Sequence, residues 1–454
     1  MIKTFSLLFS QILSILLNFS VQLILANFYG KSETGTYLSI ISIMNILSVL
    51  GLFGINKYYI FLKSKKGFID EITAINIIKI YILMNILSII LMLFIGWINF
   101  SHYLLFIISS TLMMVLTNSI AIITSYIQVR EKIIKVSFLQ LIIPLLKVGG
   151  LILGAFLFQK LFKGYSIIVI LVTLGILIIN AIQYSKSLLH FNFFKKTDLI
   201  LTLRKLTPYA LLSVTFLMYT QGNTFYVGIW LDSKGAAYFG LAYLFLNTIF
   251  IFPTAIYQRL LAHKLLYLMY NSLEEFKKLL SNLQDVLIIL SSVAILLIYL
   301  LAKILITTLF GESYLRSVEI LQILAFIIPF RLLSISIGTV LSNDDHVKER
   351  IKVELIVTFL NFIANLILIK LLGINGAIIS AILTELILSL SFAKVVREKF
   401  NMKVKYLFYL PMVIALIIYF ANLPNYVEYI IVFLIIAILV KPIMSRLKII
   451  KKYI

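Results

Sequence analysis

The sequence predicts an all-α membrane protein of about 14 transmembrane helices. They are expected to form two six-helix repeats related by a pseudo-two-fold axis along the membrane normal, plus two C-terminal helices. Three observations lead there. The chain is 62% hydrophobic over 454 residues, well above the roughly 45–50% of soluble domains. Its basic residues fall in short loops that alternate between rich and poor. One helical hairpin is written twice, once in each half.

Composition fixes the solvent. At about 20 apolar residues per span, such a set of helices consumes nearly all the hydrophobic residues, and no sizeable soluble domain fits beside them. A cysteine count of 0 excludes disulfides, thiolate metal sites and a cysteine nucleophile. The first apolar run exceeds the core of a signal peptide and lacks a small-x-small cleavage site, so it reads as an uncleaved span. A net charge of +22 raises nucleic acid as a partner, but the distribution of charge argues for topology. Of the 40 lysines and arginines, 29 lie in one set of loops that starts at Lys3, Lys63, Lys65 and Lys66 and ends in the Lys441–Lys452 tail. The alternate loops hold only Lys31, Lys160, Lys163, Lys234, Arg316 and Lys370. The positive-inside rule makes the first set cytoplasmic, places both termini inside and requires an even number of spans. The expected partners of the positive face are anionic membrane lipids, not nucleic acid.

In order, the spans expected in the first repeat are Leu7–Phe28, Tyr37–Leu62, Ala74–Ile98, Tyr103–Ile127, Val136–Phe158 and Gly164–Ser185. The second repeat takes Leu206–Trp230, Ala237–Tyr257, Leu283–Leu309, Val318–Leu341, Val353–Leu372 and Gly376–Ala393, and Tyr406–Ala421 and Tyr429–Val440 are the two additional spans. Residues 1–190 and 191–400 are thus the expected bundles, and 401–454 the extra helices with a basic tail. The duplicated hairpin opens each repeat. In the first copy the turn is Gly30-Lys31-Ser32-Glu33-Thr34-Gly35; in the second, within Thr207–Arg259, it is Asp232-Ser233-Lys234-Gly235. Tyr37 and Tyr238 follow the two turns at the same point, 201 residues apart. Later segments repeat as well: Lys132-Ile133-Ile134-Lys135-Val136 resembles Glu349-Arg350-Ile351-Lys352-Val353, and Gly164-Tyr165-Ser166-Ile167-Ile168 resembles Gly376-Ala377-Ile378-Ile379. Even-numbered halves insert with the same orientation, which gives parallel repeats and makes the cleft between them the expected substrate path. In the connector from Arg259 to Asn282, Leu265, Leu268 and Met269 alternate with polar residues, as in a helix lying on headgroups or in a solvated linker.

At these residues a family resemblance becomes specific. It rests on the turn Tyr29-Gly30 to Gly35-Thr36-Tyr37, on Leu241-Ala242-Tyr243 with Pro253, and on Leu309-Phe310-Gly311-Glu312-Ser313-Tyr314-Leu315. Leu321-Gln322-Ile323-Leu324-Ala325, Asn361, Asn365 and Gly373-Ile374-Asn375-Gly376-Ala377 continue the series. In these features the chain resembles Wzx-type O-antigen and capsule flippases of the multidrug/oligosaccharidyl-lipid/polysaccharide exporter superfamily. The resemblance implies a non-enzymatic transporter in a bacterial cytoplasmic membrane. Its cargo would be an undecaprenyl-pyrophosphate-linked oligosaccharide, moved by alternating access, with other polysaccharide assembly proteins as partners. It implies no cofactor beyond coupling to H+ or Na+.

Such a cargo carries a greasy tail, an anionic pyrophosphate and a hydroxyl-rich glycan, so its route needs cations and hydrogen-bonding side chains inside an apolar bundle. Five basic residues fall within spans: Lys57, Lys79, Lys147, Lys303 and Arg331. Lys147 is about 16 Å and Arg331 about 20 Å into their spans at 1.5 Å per residue. A charge at that depth costs at least about 2.5–3.5 kcal/mol on insertion scales and normally faces a cavity or a partner. Lys57 lies near the inner end, where it meets entering phosphate or snorkels to the interface; Lys79 and Lys303 read as snorkelling. Glu385 is the one acid near mid-membrane, an ion-coupling group or a structural lock to Lys147 or Arg331. Glu354 and Asp285 sit near inner ends, within reach of water.

Polar faces complete the candidate set. Gln11, Ser14, Asn18 and Gln22 share one face of the first helix, and Tyr209, Ser213, Thr220 and Thr224 one face of the seventh. The resemblance places the first, second, seventh and eighth spans around a central cavity, making Asn18, Gln22, Ser213, Thr220, Gln221, Asn223 and Thr224 candidates for glycan contact. Interhelical hydrogen bonding is the competing role. Gln221-Gly222-Asn223-Thr224 stands where many relatives carry an acidic and then a basic residue, and Asn27 where an arginine is common, which separates this chain from their ion-coupling scheme.

Other chemistry fails on spacing. Gly30-Lys31-Ser32 lacks the upstream glycine of a phosphate-binding loop, since Leu25 stands there. His102, His190, His263 and His346 are scattered, and Asp344-Asp345 lies among loop charges as a solvated turn. A multidrug exporter of the same superfamily would favour an acidic, aromatic interior, a membrane polysaccharide polymerase a large outer loop, and a purely structural partner no buried charge.

Overall fold

The apolar runs fold as helices, as they must where lipid offers the backbone no hydrogen bonds. The computed structural model describes residues 2–402 apart from 67–69, 131, 159–160, 189–197, 256, 258–260 and 343–345. In order the helices are α1 (Ile2–Phe28), α2 (Lys31–Leu52), α3 (Ile55–Lys66), α4 (Glu71–Phe100), α5 (Leu104–Val129), α6 (Ile133–Phe158), α7 (Leu161–Leu188) and α8 (Leu199–Trp230). They continue with α9 (Ser233–Ala255), α10 (Ala262–Asn271), α11 (Leu273–Phe310), α12 (Leu315–Leu324), α13 (Ile327–Val340), α14 (Val347–Leu372) and α15 (Ile374–Phe400). No strand occurs among the described residues. Nine of their apolar helical stretches are long enough to cross a membrane, ten if the bent α12–α13 pair is one span. One stretch, Glu71–Val129, contains both α4 and α5. The two expected C-terminal spans and Asp344-Asp345 lie outside the described residues.

The outward surface is what lipid requires. On α4, Ile82, Ile86, Ile90, Phe94 and Trp97 recur every three or four residues and are 49–63% exposed, a continuous apolar stripe. On the same helix the polar residues Asn76, Asn85 and Ser88 are buried.

The chain divides into two compact units, Met1–Ala237 and Tyr238–Ile454. In the first, α1 packs on α6, α2 on α4, α5 and α8, and α7 on α5 and α6. The contact of α8 with α2 therefore groups α8 with the N-terminal helices by packing, although it follows the 190/191 boundary in sequence. In the second unit, α15 packs on α13 and α14, and α11 on α10, α12 and α13.

Four local expectations are corrected. The hairpin turns are shorter than their polar composition suggests: α2 begins at Lys31 and α9 at Ser233, leaving Tyr29-Gly30 and Leu231-Asp232 as the links. The Asp232 carboxylate accepts the Gly235 N–H, so the polar run caps a helix instead of forming a loop. The second span is interrupted at Phe53 and Gly54, which both have positive φ. The tenth is bent by 54° between α12 and α13. The ninth begins ten residues early, because Leu273–Leu280 continue straight into α11. Of the two readings of the preceding connector, the structure contains a helix: Leu265 and Leu268 of α10 are buried, while Tyr267 and Tyr270 are 54% and 61% exposed.

Candidate functional site

The first unit is organised by an antiparallel seam between α2–α3 and α8. Thr36 donates to Ser233 Oγ at 3.0 Å, and Asn45 Nδ2 to Gln221 Oε1 at 2.9 Å. Lys57 Nζ donates to Ser213 Oγ at 2.8 Å, and the Tyr58 and Tyr209 rings lie 5.8 Å apart. As numbers rise along α2–α3 they fall along α8, so one register holds for the whole seam. At its turn end it is tight: a Cβ on Gly35 would collide with the Ser233 carbonyl, which is why that position needs glycine.

Several predicted residues meet here. Lys57 and Ser213 form a direct pair, and Gln221 is engaged by Asn45, a residue the sequence reading passed over. Thr220, Asn223 and Thr224 are buried on α8, with Thr220 donating to the Phe216 carbonyl at 2.6 Å. At Gln221 the hydrogen-bonding role competes with ligand contact, and the Asn45 contact satisfies its oxygen.

Beside the seam lies a polar cluster of α2, α4 and α5. Ser48 Oγ donates to Asn118 Oδ1 at 2.6 Å, Asn118 Nδ2 to Asn85 Oδ1 at 2.7 Å, and Asn85 Nδ2 to the Gly51 carbonyl at 3.1 Å. All four residues are buried. Mid-span asparagines are costly unless paired. That is the sequence signal that would have found them.

Lys147 on α6 is 9% exposed and forms no ion pair or hydrogen bond among the described residues. α6 packs on α1, α5 and α7, and on the α1 side the hydroxyls of Ser6 and Ser137 meet at 3.4 Å near the first turns of α1 and α6. The two helices therefore run parallel, which levels Lys147 with the stretch between Ser14 and Asn18. Asn18 donates to the Ser14 carbonyl at 2.8 Å, and Gln22 Oε1, further along α1, is buried without a hydrogen-bond partner among the described residues. A buried cation level with neutral hydrogen-bonding groups is chemically suited to an anion with hydroxyls.

In the second unit Arg331 is not left bare. Its Nη1 donates to Glu385 Oε1 at 2.5 Å, with side chains 7% and 3% exposed, and its guanidinium sits 5.8 Å from the Phe250 ring centroid. Of the roles open to Glu385, the one seen is the lock to Arg331. Glu354 corrects the expectation of water contact: it is fully buried, held by Arg350 Nε at 2.8 Å, and Arg350 also reaches the Gly338 carbonyl at 2.7 Å and the Ser342 hydroxyl. Asp285 is buried as well. Asn361 Nδ2 donates to Thr384 Oγ1 at 2.8 Å, tying α14 to α15. Among the described residues no three potential metal ligands cluster.

Apolar helices with lipid-facing stripes, and polar and charged groups turned inward, define a multi-pass helical membrane protein. Its fold is shared with two solved membrane proteins. A lipid II flippase, MurJ, in an inward closed conformation superposes with a TM-score of 0.66 at 16% identity, over 99% of both chains. A variant of the Vibrio cholerae MATE transporter VcmN matches with a TM-score of 0.50 at 12% identity, over 90% of this chain and 97% of its own. No protein-family model matches the chain, and no curated protein matches it in sequence.

Proposed function

We propose that the chain is a flippase that carries an undecaprenyl-pyrophosphate-linked oligosaccharide, an O-antigen or capsule repeat unit, across a bacterial cytoplasmic membrane by alternating access. Both termini lie in the cytoplasm in this reading. Transport, not covalent chemistry, is the work done, and other polysaccharide assembly proteins supply and receive the cargo. The observation that carries the proposal is Lys147: a buried cation in an apolar span, with no counter-ion among the described residues. A membrane interior tolerates that cost when the missing partner arrives with the cargo. Lys57, which donates to the Ser213 hydroxyl, supplies a second cation for the pyrophosphate. Asn18, Gln22, Ser213, Thr220, Gln221, Asn223 and Thr224 offer groups for sugar hydroxyls. Arg331 is neutralised by Glu385 in this state and joins the cargo only if that pair opens, with H+ or Na+ at Glu385 as the coupling ion. The fold supports the reading, since a protein of the same fold is a lipid II flippase.

The test is reconstitution. Purified protein in vesicles with a fluorescent undecaprenyl-diphosphate oligosaccharide in both leaflets should make the inner-leaflet pool accessible to a membrane-impermeant quencher. Accessibility equal to protein-free vesicles, together with transport of a cationic dye, would replace this reading with a multidrug exporter.

A further inference from the structure

The span shared by α2 and α3 is broken where no proline or polar run asks for a break. Phe53 and Gly54 have φ of 44° and 70°, the left-handed region that a bulky residue such as phenylalanine seldom enters. The Phe53 N–H still bonds back to the Val49 and Leu50 carbonyls, and Tyr58 N–H bonds to the Gly54 carbonyl, so one helix ends and another starts with no intervening loop.

The break coincides with a boundary between two hydrophobic cores. Tyr37, Ile40, Met44 and Leu47 of α2 belong to a core of 21 buried residues with α1, α4, α5, α6 and α7. Ile55, Tyr58 and Leu62 of α3 belong to a separate one of six buried residues among those described, with Ile77 and Ile80 of α4 and Leu206 of α8. The hydrogen-bonded layer of Ser48, Gly51, Asn85 and Asn118 lies next to the break and ties the end of α2 to α4 and α5. The large core and the polar layer resist displacement. The small core beneath α3 has fewer buried residues to resist it.

We propose that Phe53–Gly54 is a hinge on which α3 swings while α2 stays fixed, making and breaking the contacts of Lys57 with Ser213 and of Tyr58 with Tyr209. The hinge sets when Lys57 is held against α8 and when it is released. It does not depend on the identity of the cargo, although Lys57 links it to the function proposed above. A Cβ at Gly54 would fall 2.6 Å from the Ala210 nitrogen, so Gly54→Ala should push α3 off α8. Phe53→Gly does the reverse, because glycine enters the left-handed region freely. Ile60 stands six residues past Gly54, about 9 Å along the helix, and a swing of about 30° moves it by about 4–5 Å.

The cysteine count of 0 makes the measurement direct. Spin labels on Ile60→Cys and Phe216→Cys report the α3–α8 distance, and labels on Ile46→Cys and Phe216→Cys report the fixed α2–α8 distance. Both are read by pulsed electron resonance in phosphatidylethanolamine–phosphatidylglycerol vesicles, with and without undecaprenyl diphosphate. The 60–216 pair should show two populations about 4–5 Å apart. Gly54→Ala should lower the shorter-distance fraction at least about threefold and Phe53→Gly raise it, while the 46–216 pair keeps a single distance. A single, unshifted 60–216 distance in every sample overturns the hinge. Two populations that respond to the substitutions but not to undecaprenyl diphosphate uphold the hinge and count against the cargo.

Discussion

Replacing Lys147 with methionine separates a functional cation from a structural one. The side chain is 9% exposed with no ion pair among the described residues to offset its burial. A lysine at a helix centre costs about 2.5–3.5 kcal/mol on insertion scales, and methionine fills nearly the same volume without the charge. Lys147→Met should therefore raise stability, by about 1–3 kcal/mol if part of the cost is already relieved by local water. At about 2–4 °C per kcal/mol for domains of this size, the unfolding midpoint in detergent should rise by several degrees. Flipping of lipid-linked oligosaccharide should fall at least about tenfold, a stability gain bought with function. A variant destabilised by more than about 1 kcal/mol would show that Lys147 holds the fold. A more stable variant that flips at the wild-type rate would remove Lys147 from the mechanism.

Three further outcomes are expected. Arg331 and Glu385 should be strongly coupled: Glu385→Gln or Arg331→Met alone should cost about 3–5 kcal/mol, and the double variant Arg331→Met with Glu385→Leu should recover most of it, as an unfolding double-mutant cycle would show. Additive losses would deny the pair. Asn118→Leu should destabilise by about 1–3 kcal/mol, because it strands the Asn85 oxygen and the Ser48 hydroxyl; thermal unfolding checks this, and a neutral result would break the polar layer as described. Gly35→Leu should separate the turn end of α2 from Ser233, so a spin-label pair at Ser32→Cys and Lys234→Cys should move apart by several ångströms, against no change if the close approach is incidental.

The parts of the structure written in local pattern were readable. Apolar runs of about 20 residues located most of the helices, with α8 and α11 starting seven and ten residues before their expected spans, and the paired hairpins marked Gly30 and Asp232 as links. Capping was misread as looping, because Asp232 and Ser233 favour a helix start as much as a turn. The break at Phe53–Gly54 was invisible because hydrophobicity runs unbroken across it and phenylalanine gives no warning of a left-handed residue. The bend between α12 and α13 was hidden for the same reason. The seam was unreadable for another: Asn45 and Gln221 are 176 residues apart, and no periodicity within either helix records which faces will meet. Lys147 and Arg331 stood out equally in the sequence as costly charges. Only packing separated the one with no ion pair among the described residues from the one bound to Glu385.

The central claim is that Lys57 and the buried Lys147 of the first unit recognise a lipid-linked anion, and equilibrium binding tests it most directly. Native mass spectrometry of the purified protein with undecaprenyl diphosphate, against undecaprenol as the uncharged control, compares wild type with the Lys57→Gln and Lys147→Gln variants. The account predicts at least about tenfold tighter binding of the diphosphate than of the alcohol, a preference that each substitution reduces and the pair abolishes. Equal affinity for both lipids, or a preference that survives the double substitution, would contradict it.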